Sequence, residues 1–237
     1  MKLKVQFSFT LIELLIVTAI LGILISLLQP SLNNFVKQSE KQVCLNNLRQ
    51  ISGMANLYED DHDGAFYQIW HHNPWNDGWH AWGYIMASEG YVDLESNEAM
   101  LYCPSTDKEN RQTWWTKFFT YGINHLSHHR NQQTDAREVI RNNDGSDSDL
   151  IYMNRLSHPS EYMFMIDTKT SGAVARGKAM IANWDATWNG RVWQIHDPGM
   201  GANSLYGDGH ASFDSPETYH ELFGKNLGFA YEKLESW

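Results

Sequence analysis

The apolar pattern changes rhythm once along the first 61 residues. From Phe9 to Leu28 almost every position is apolar, and no charged side chain falls between Leu14 and Leu28. Twenty residues make about 30 Å of helix, the thickness of a bilayer's hydrocarbon core. Beyond Pro30 the apolar positions narrow to a stripe. Leu32, Phe35, Val36 and Val43 open it, and Cys44, Leu48, Ile51, Ala55 and Tyr58 continue it in steps of four and three. Lys37, Glu40, Lys41, Asn47, Arg49 and Gln50 occupy the other sides, which predicts an amphipathic helix over residues 31–61. Pro30 lacks an N–H, so a kink or a new helix is expected there. Residues 9–61 together would make a rod of about 80 Å. Gly64 is a suitable stop.

The remaining pattern is of short elements. Residues 82–89 suit a helix ended by Gly90, and 113–123 (TWWTKFFTYGI) an aromatic strand. Residues 130–149 are polar and predict a surface loop. EYMFMID (161–167) and RVWQIH (191–196) predict strands, and Gly207-Asp208-Gly209 predicts a hairpin between Ser204–Tyr206 and His210–Phe213. One long helix followed by short antiparallel strands is an α+β order with a single head domain.

Charge changes the picture at the amino end. Lys2 and Lys4 precede the apolar run and the whole chain carries −10, which favours a cytoplasmic amino terminus and an extracytoplasmic head. A cleaved secretory signal would need a small-x-small site after the run, and Leu28-Gln29-Pro30-Ser31 offers none. The acidic balance and the lack of any Lys/Arg run argue against a nucleic-acid partner. Glu13 is the anomaly. A carboxylate in a bilayer costs roughly 2.5 kcal/mol or more, partly offset by its place near a helix amino end. The nearest cation that chemistry can supply is an α-amino group freed by a cut just before Phe9.

These residues carry a resemblance. S-F-T-L-I-E-L-L (8–15), after a short basic leader and before an uninterrupted apolar run and Pro30, resembles the processing motif of type IV pilins and type II secretion pseudopilins. The resemblance implies that a prepilin peptidase cuts between Ser8 and Phe9 and methylates the new amine. Ser8 stands where the family usually has glycine. It implies that Glu13 pairs with such an amine in a filament, that Pro30 is the family's helix kink, and that the chain divides into a leader (1–8), a membrane and filament-core helix (9–30), an amphipathic stalk (31–61) and a head (62–237). Other copies or related subunits, the inner-membrane assembly machinery and the lipid bilayer are the implied partners. The location is a bacterial inner membrane, then a filament in the periplasm or at the cell surface. C-L-N-N-L-R-Q-I, L-Y-C-P-S and a closing His-to-D-G-H pattern resemble a branch of large pseudopilin-like proteins. Here that pattern reads His196, Gly201, Asn203, Leu205, Tyr206, Asp208, Gly209 and His210, with eleven residues between His196 and Asp208 where the branch usually has nine.

Little in the head points to chemistry. His71, His72 and His80, and His125, His128 and His129, lack H-E-x-x-H spacing, and the chain has no G-x-S-x-G or P-loop, so no enzyme and no cofactor is expected. Asp208 is a weak calcium candidate, set against a purely structural hairpin. Cys44 and Cys103 show no zinc-type spacing. In an exported head they are candidates for one disulfide, closing a loop of about 60 residues and worth about 4 kcal/mol; the alternative is two buried thiols. Aromatics make up 13% of the chain, mostly a core signal. Trp75 and Trp79, with Asp77 and His80, also suit stacking on sugar rings, so the alternative function is a membrane-anchored carbohydrate-binding or adhesion module with polysaccharide as partner.

Overall fold

The computed structural model describes residues 10–67, 71–72, 79–80, 82–93, 98–105, 121–124, 136–141, 147–170, 180–181, 190–192, 196 and 201–223. The chain divides into two compact units, residues 1–39 and 40–237.

Helix α1 (Leu11–Asp61) is continuous through Pro30, so no new helix begins there. A proline inside a helix removes one hydrogen bond, here to the carbonyl four residues back at Ser26. In the first unit every residue from Thr10 to Ser39 is exposed. Leu14, Leu21 and Leu28 are each more than half exposed. An apolar helix with no buried face in its own chain belongs in lipid or against other helices.

In the second unit the same helix buries one face. Cys44, Leu48, Ile51, Ala55 and Tyr58, the stripe that steps by four and three, are all buried. The helix ends as Gly64 (φ 81°) turns left-handed and its N–H reaches the Glu59 carbonyl at 2.7 Å. Short elements follow: β1 (Ala65–Tyr67), β2 (His71–His72), β3 (Trp79–His80), α2 (Trp82–Ser88) and a 3-10 turn at Glu98–Leu101. Next come β4 (Tyr121–Asn124), β5 (Arg137–Arg141), β6 (Asp147–Tyr152), β7 (Met163–Thr170), β8 (Met180–Ile181) and β9 (Gly190–Val192). The last are β10 (Ala202–Tyr206), β11 (Ala211–Asp214) and α3 (Pro216–Phe223).

The main sheet has the order β11-β10-β7-β4-β8, with β9 on the far end of β7. β1-β6-β5 form a second sheet and β2-β3 a third. All pairs are antiparallel except β4 with β8. The fold is α+β, a long amino-terminal helix followed by largely antiparallel sheets, as the pattern predicts. The polar stretch 130–149 departs from its reading as a loop. Residues 137–141 and 147–152 pair as β5 and β6, because β1 offers a partner and Leu150 and Ile151 are buried. Sheet context outweighs polar composition there. Residues 113–120 of the expected aromatic strand and 193–195 of RVWQIH lie outside the described residues.

Strand β7 is the centre of the head. A bulge opposite Leu205/Tyr206 puts Phe164 and Met165 in the cluster with Leu48 and Ile51 of α1. Met163 and Ile166 instead join Tyr219 of α3, Ala202 and Tyr206. The sheet is therefore covered on both faces. Tyr121 of β4 pairs in register with Asp167 of β7.

Candidate functional site

Among the described residues, we single out two places that bring chemistry-bearing residues together, one in each unit. In the first, Thr10 and Glu13 close the start of α1 on each other. Glu13 Oε2 accepts hydrogen bonds from the Thr10 N–H (2.8 Å) and the Thr10 hydroxyl (2.6 Å), and the Glu13 N–H reaches Thr10 Oγ1 at 3.3 Å. T-L-I-E is a capping box, a reciprocal bond that satisfies two of the donors every helix start leaves open. The lone acid therefore has a partner within its own chain, three residues away. The T-x-x-E spacing carries this signal, and a reading that considers only the membrane cost passes over it. Ser8 and Phe9 lie outside the described residues.

The second place is inside the head. Cys44 on α1, Cys103 after the 3-10 turn, Asp167 on β7 and His196 ahead of β10 converge, and one donor atom from each lies within 4.8 Å of every other. All four are buried: Cys44 and Cys103 are 0% exposed, Asp167 1% and His196 5%. Cys103 Sγ is 3.2 Å from His196 Nε2, Cys44 Sγ is 3.9 Å from Asp167 Oδ1, and His196 Nε2 is 3.7 Å from Asp167 Oδ2. The two cysteines are not joined in a disulfide in this structure.

Each element has a local reason to deliver its side chain. The four-three stripe turns Cys44 inward with Leu48. The register of β4 on β7 sets Tyr121 beside Asp167. The Tyr121 hydroxyl is 3.2 Å from Cys44 Sγ, and it accepts from Asn47 Nδ2 at 3.4 Å. The backbone N–H of Asn203 holds Asp167 Oδ2 at 3.1 Å.

A polar chain fixes the imidazole. Ser105 Oγ donates to Glu40 Oε2 at 2.7 Å and lies 3.1 Å from His196 Nδ1. The serine proton is committed to Glu40, so His196 Nδ1–H donates to Ser105. Nε2 then carries the lone pair, aimed at the Cys103 thiol.

Burial sets the charge state. It pushes Asp167 up to about 7, against the pull of the Asn203 N–H. It lowers His196 to about 4, helped by the Lys41 charge. Burial also raises both thiols. His196 and Asp167 are thus not an ion pair near neutral pH, because the imidazole is uncharged there.

The carboxyl-terminal residues singled out from the sequence separate into two roles. His196 joins the cysteines, and Asn203 orients Asp167 through its backbone. Asp208 instead closes the β10–β11 turn, accepting from the His210 N–H at 3.1 Å and from the His210 ring. His210 stacks on Tyr206 with ring centroids 4.2 Å apart. Gly209 (φ 86°) passes so close to α1 that a Cβ there would lie 2.9 Å from Ser52 Oγ. Among the described residues, Asp208 belongs to no converging group of metal-binding side chains, and neither do the acids at the end of α1. Asp167 is the site residue that sequence reading missed. Its signal is the one acid that closes the otherwise apolar run YMFMID.

Trp75 and Asp77 lie outside the described residues, and Trp79 and His80 are placed only as strand β3.

With this geometry established, comparison with known proteins adds one finding. The family model for the prokaryotic N-terminal methylation motif matches residues 3–28. No curated protein and no solved structure matches the chain. The match and the apolar helix behind it support a membrane-anchored protein of prepilin type, a pilin or pseudopilin, and point to a structural subunit rather than an enzyme. The match ends at Leu28 and leaves the His196-to-His210 pattern as a resemblance.

Proposed function

We propose that this protein is a subunit of a type IV pilus or of a type II secretion pseudopilus-like filament. Prepilin peptidase cuts it between Ser8 and Phe9 and methylates the Phe9 amine. The apolar half of α1 waits in the inner membrane with the amino end inside, then packs against other subunits in the filament.

The observation that carries this reading is apolar surface in excess of what anchoring needs. About 20 residues suffice to cross a bilayer, and Leu11 to Leu28 supply nearly that. Yet Leu32 (59%), Phe35 (69%) and Val36 (52%) remain exposed further along the helix. A simple tether has no use for that surface, whereas a helix-packed filament core does. Glu13, already capping its own helix, keeps a carboxylate at the surface for a neighbour's amine.

The test is the amino terminus and the fate of the protein in cells. The expected product begins at N-methyl-Phe9, and the protein is recovered in sheared filaments. Glu13→Ala keeps it in the membrane but removes it from filaments. An intact Met1, or filament entry indifferent to Glu13, overturns the proposal.

A further inference from the structure

We propose that Cys44, Cys103, Asp167 and His196 bind one zinc ion, which ties α1 to the centre of the head. The proposal concerns the folded head alone and does not depend on filament assembly.

Donor chemistry is the first argument. Two sulfurs, one imidazole nitrogen and one carboxylate oxygen suit zinc and do not suit calcium or magnesium, which take oxygen. Four protein donors complete a tetrahedron, so the site is structural and leaves no open position for a reacting water.

Geometry is the second. Zinc bonds of about 2.3 Å to sulfur and about 2.0–2.1 Å to nitrogen or oxygen give tetrahedral edges of about 3.3–3.8 Å. Cys103 Sγ lies 3.2 Å from His196 Nε2, His196 Nε2 lies 3.7 Å from Asp167 Oδ2, and Cys44 Sγ lies 3.9 Å from Asp167 Oδ1. One donor atom from each of the four residues lies within 4.8 Å of every other, so side-chain shifts of about 1 Å or less close the tetrahedron. The donors come from a helix, a loop after a 3-10 turn, a central strand and a second loop. Such a meeting is not the by-product of one local motif.

The surroundings are the third. A metal-bound histidine usually donates its second ring N–H to a fixed acceptor. His196 does so to Ser105, which Glu40 fixes in turn. The Asn203 N–H orients the carboxylate, and the Tyr121 hydroxyl is placed to donate to a Cys44 thiolate. A disulfide would use two of the four groups. It would leave the imidazole lone pair without the Cys103 thiol it faces, and the buried carboxylate with the Asn203 N–H but no cation beside it. Binding exchanges the two thiol protons for the cation, together with any proton on Asp167.

The experiment uses the full chain, purified in detergent from membranes without added metal or chelator. Metal content is measured by mass spectrometry, and thiols are counted by alkylation after unfolding in chelator. The expected result is about one zinc per chain with both cysteines alkylated. Cobalt should replace it and give tetrahedral d–d absorption with a thiolate charge-transfer band. Cys44→Ser together with Cys103→Ser should lose both zinc and the cobalt spectrum. Ser105 is a positioning residue. Ser105→Ala should weaken zinc about 10- to 100-fold while the cobalt spectrum keeps its shape.

A Cys44–Cys103 disulfide without zinc overturns the proposal. So does reduced wild-type protein that takes up neither zinc nor cobalt, or zinc retained by the double serine variant. If the serine variants fail to fold, the metal content and thiol count of the wild-type chain still decide.

Discussion

The two halves of α1 share one backbone geometry and have opposite surroundings. From Thr10 to Ser39 no side chain is buried, although most of them up to Leu28 are apolar. From Cys44 to Tyr58 the apolar residues are fewer, yet one face of them is almost wholly buried. The first half gains no side-chain burial from its own chain, so its apolar surface is left for lipid or other helices. The second half gains nearly all of it from the head. A helix that is apolar all round looks outward for partners, and one with a narrow stripe has already found them. In a long helix the width of the stripe, rather than total hydrophobicity, shows which part is core.

The comparison is broken most directly by removing one leucine from each half. Leu48 is fully buried, in the same core cluster as residues of β7 and α2. Leu48→Ala should cost the head about 2–5 kcal/mol, the transfer of the side chain plus the cavity left behind. Leu21→Ala, in the exposed half, should change head stability by no more than about 0.5 kcal/mol. Both are read on the full chain in detergent by urea unfolding followed by tryptophan fluorescence, with buried Trp82 as a reporter. Equal losses would mean that the first half also draws on the head.

A smaller effect tests how closely the head is fitted to the second half. Gly209 holds a left-handed φ of 86° and approaches Ser52 of α1. Gly209→Ala should cost about 1–3 kcal/mol from backbone strain alone. Ser52→Ala in the same chain should recover only the part due to the 2.9 Å approach. Full recovery would mean that crowding against the helix, and not the turn's torsion, is what fixes glycine there.

Legibility followed the range of the interactions. The stripe Cys44–Tyr58, the stop at Gly64, the helix ended by Gly90 and the hairpin at Gly207–Gly209 are set by neighbours a few residues apart, and all were readable. The β5–β6 pair was not, because β1, the partner of β6, lies about 85 residues earlier and 130–149 looks polar by itself. The cluster was half visible. Cys44, Cys103 and His196 each stood out, yet nothing in their spacing joins them, since the sheet register and the bulge in β7 do that. Asp167 was hidden by its setting, an acid at the end of an apolar strand. The Thr10–Glu13 box is legible in the letters T-x-x-E, because it too joins residues three apart.

The smallest effect concerns two carboxylates on the two halves. Glu13 is exposed and held by Thr10, whereas Glu59 is half-buried near the helix end. Burial, and then the charge of Asp60, raises Glu59 to about 7. Its folded-state value lies above its unfolded value. The stability it contributes is therefore fully present below about pH 4.5 and is lost as pH rises through about 7. Glu59→Gln removes the titration. Wild type and variant should unfold at similar urea concentrations near pH 5, and the variant should gain a growing advantage toward about pH 8. The solvent that reaches this side chain keeps the gain modest. Midpoints that run parallel across that range would mean that Glu59 is as well solvated as the carboxylate at the other end of the helix. The difference between the two halves would then rest on the apolar stripe alone.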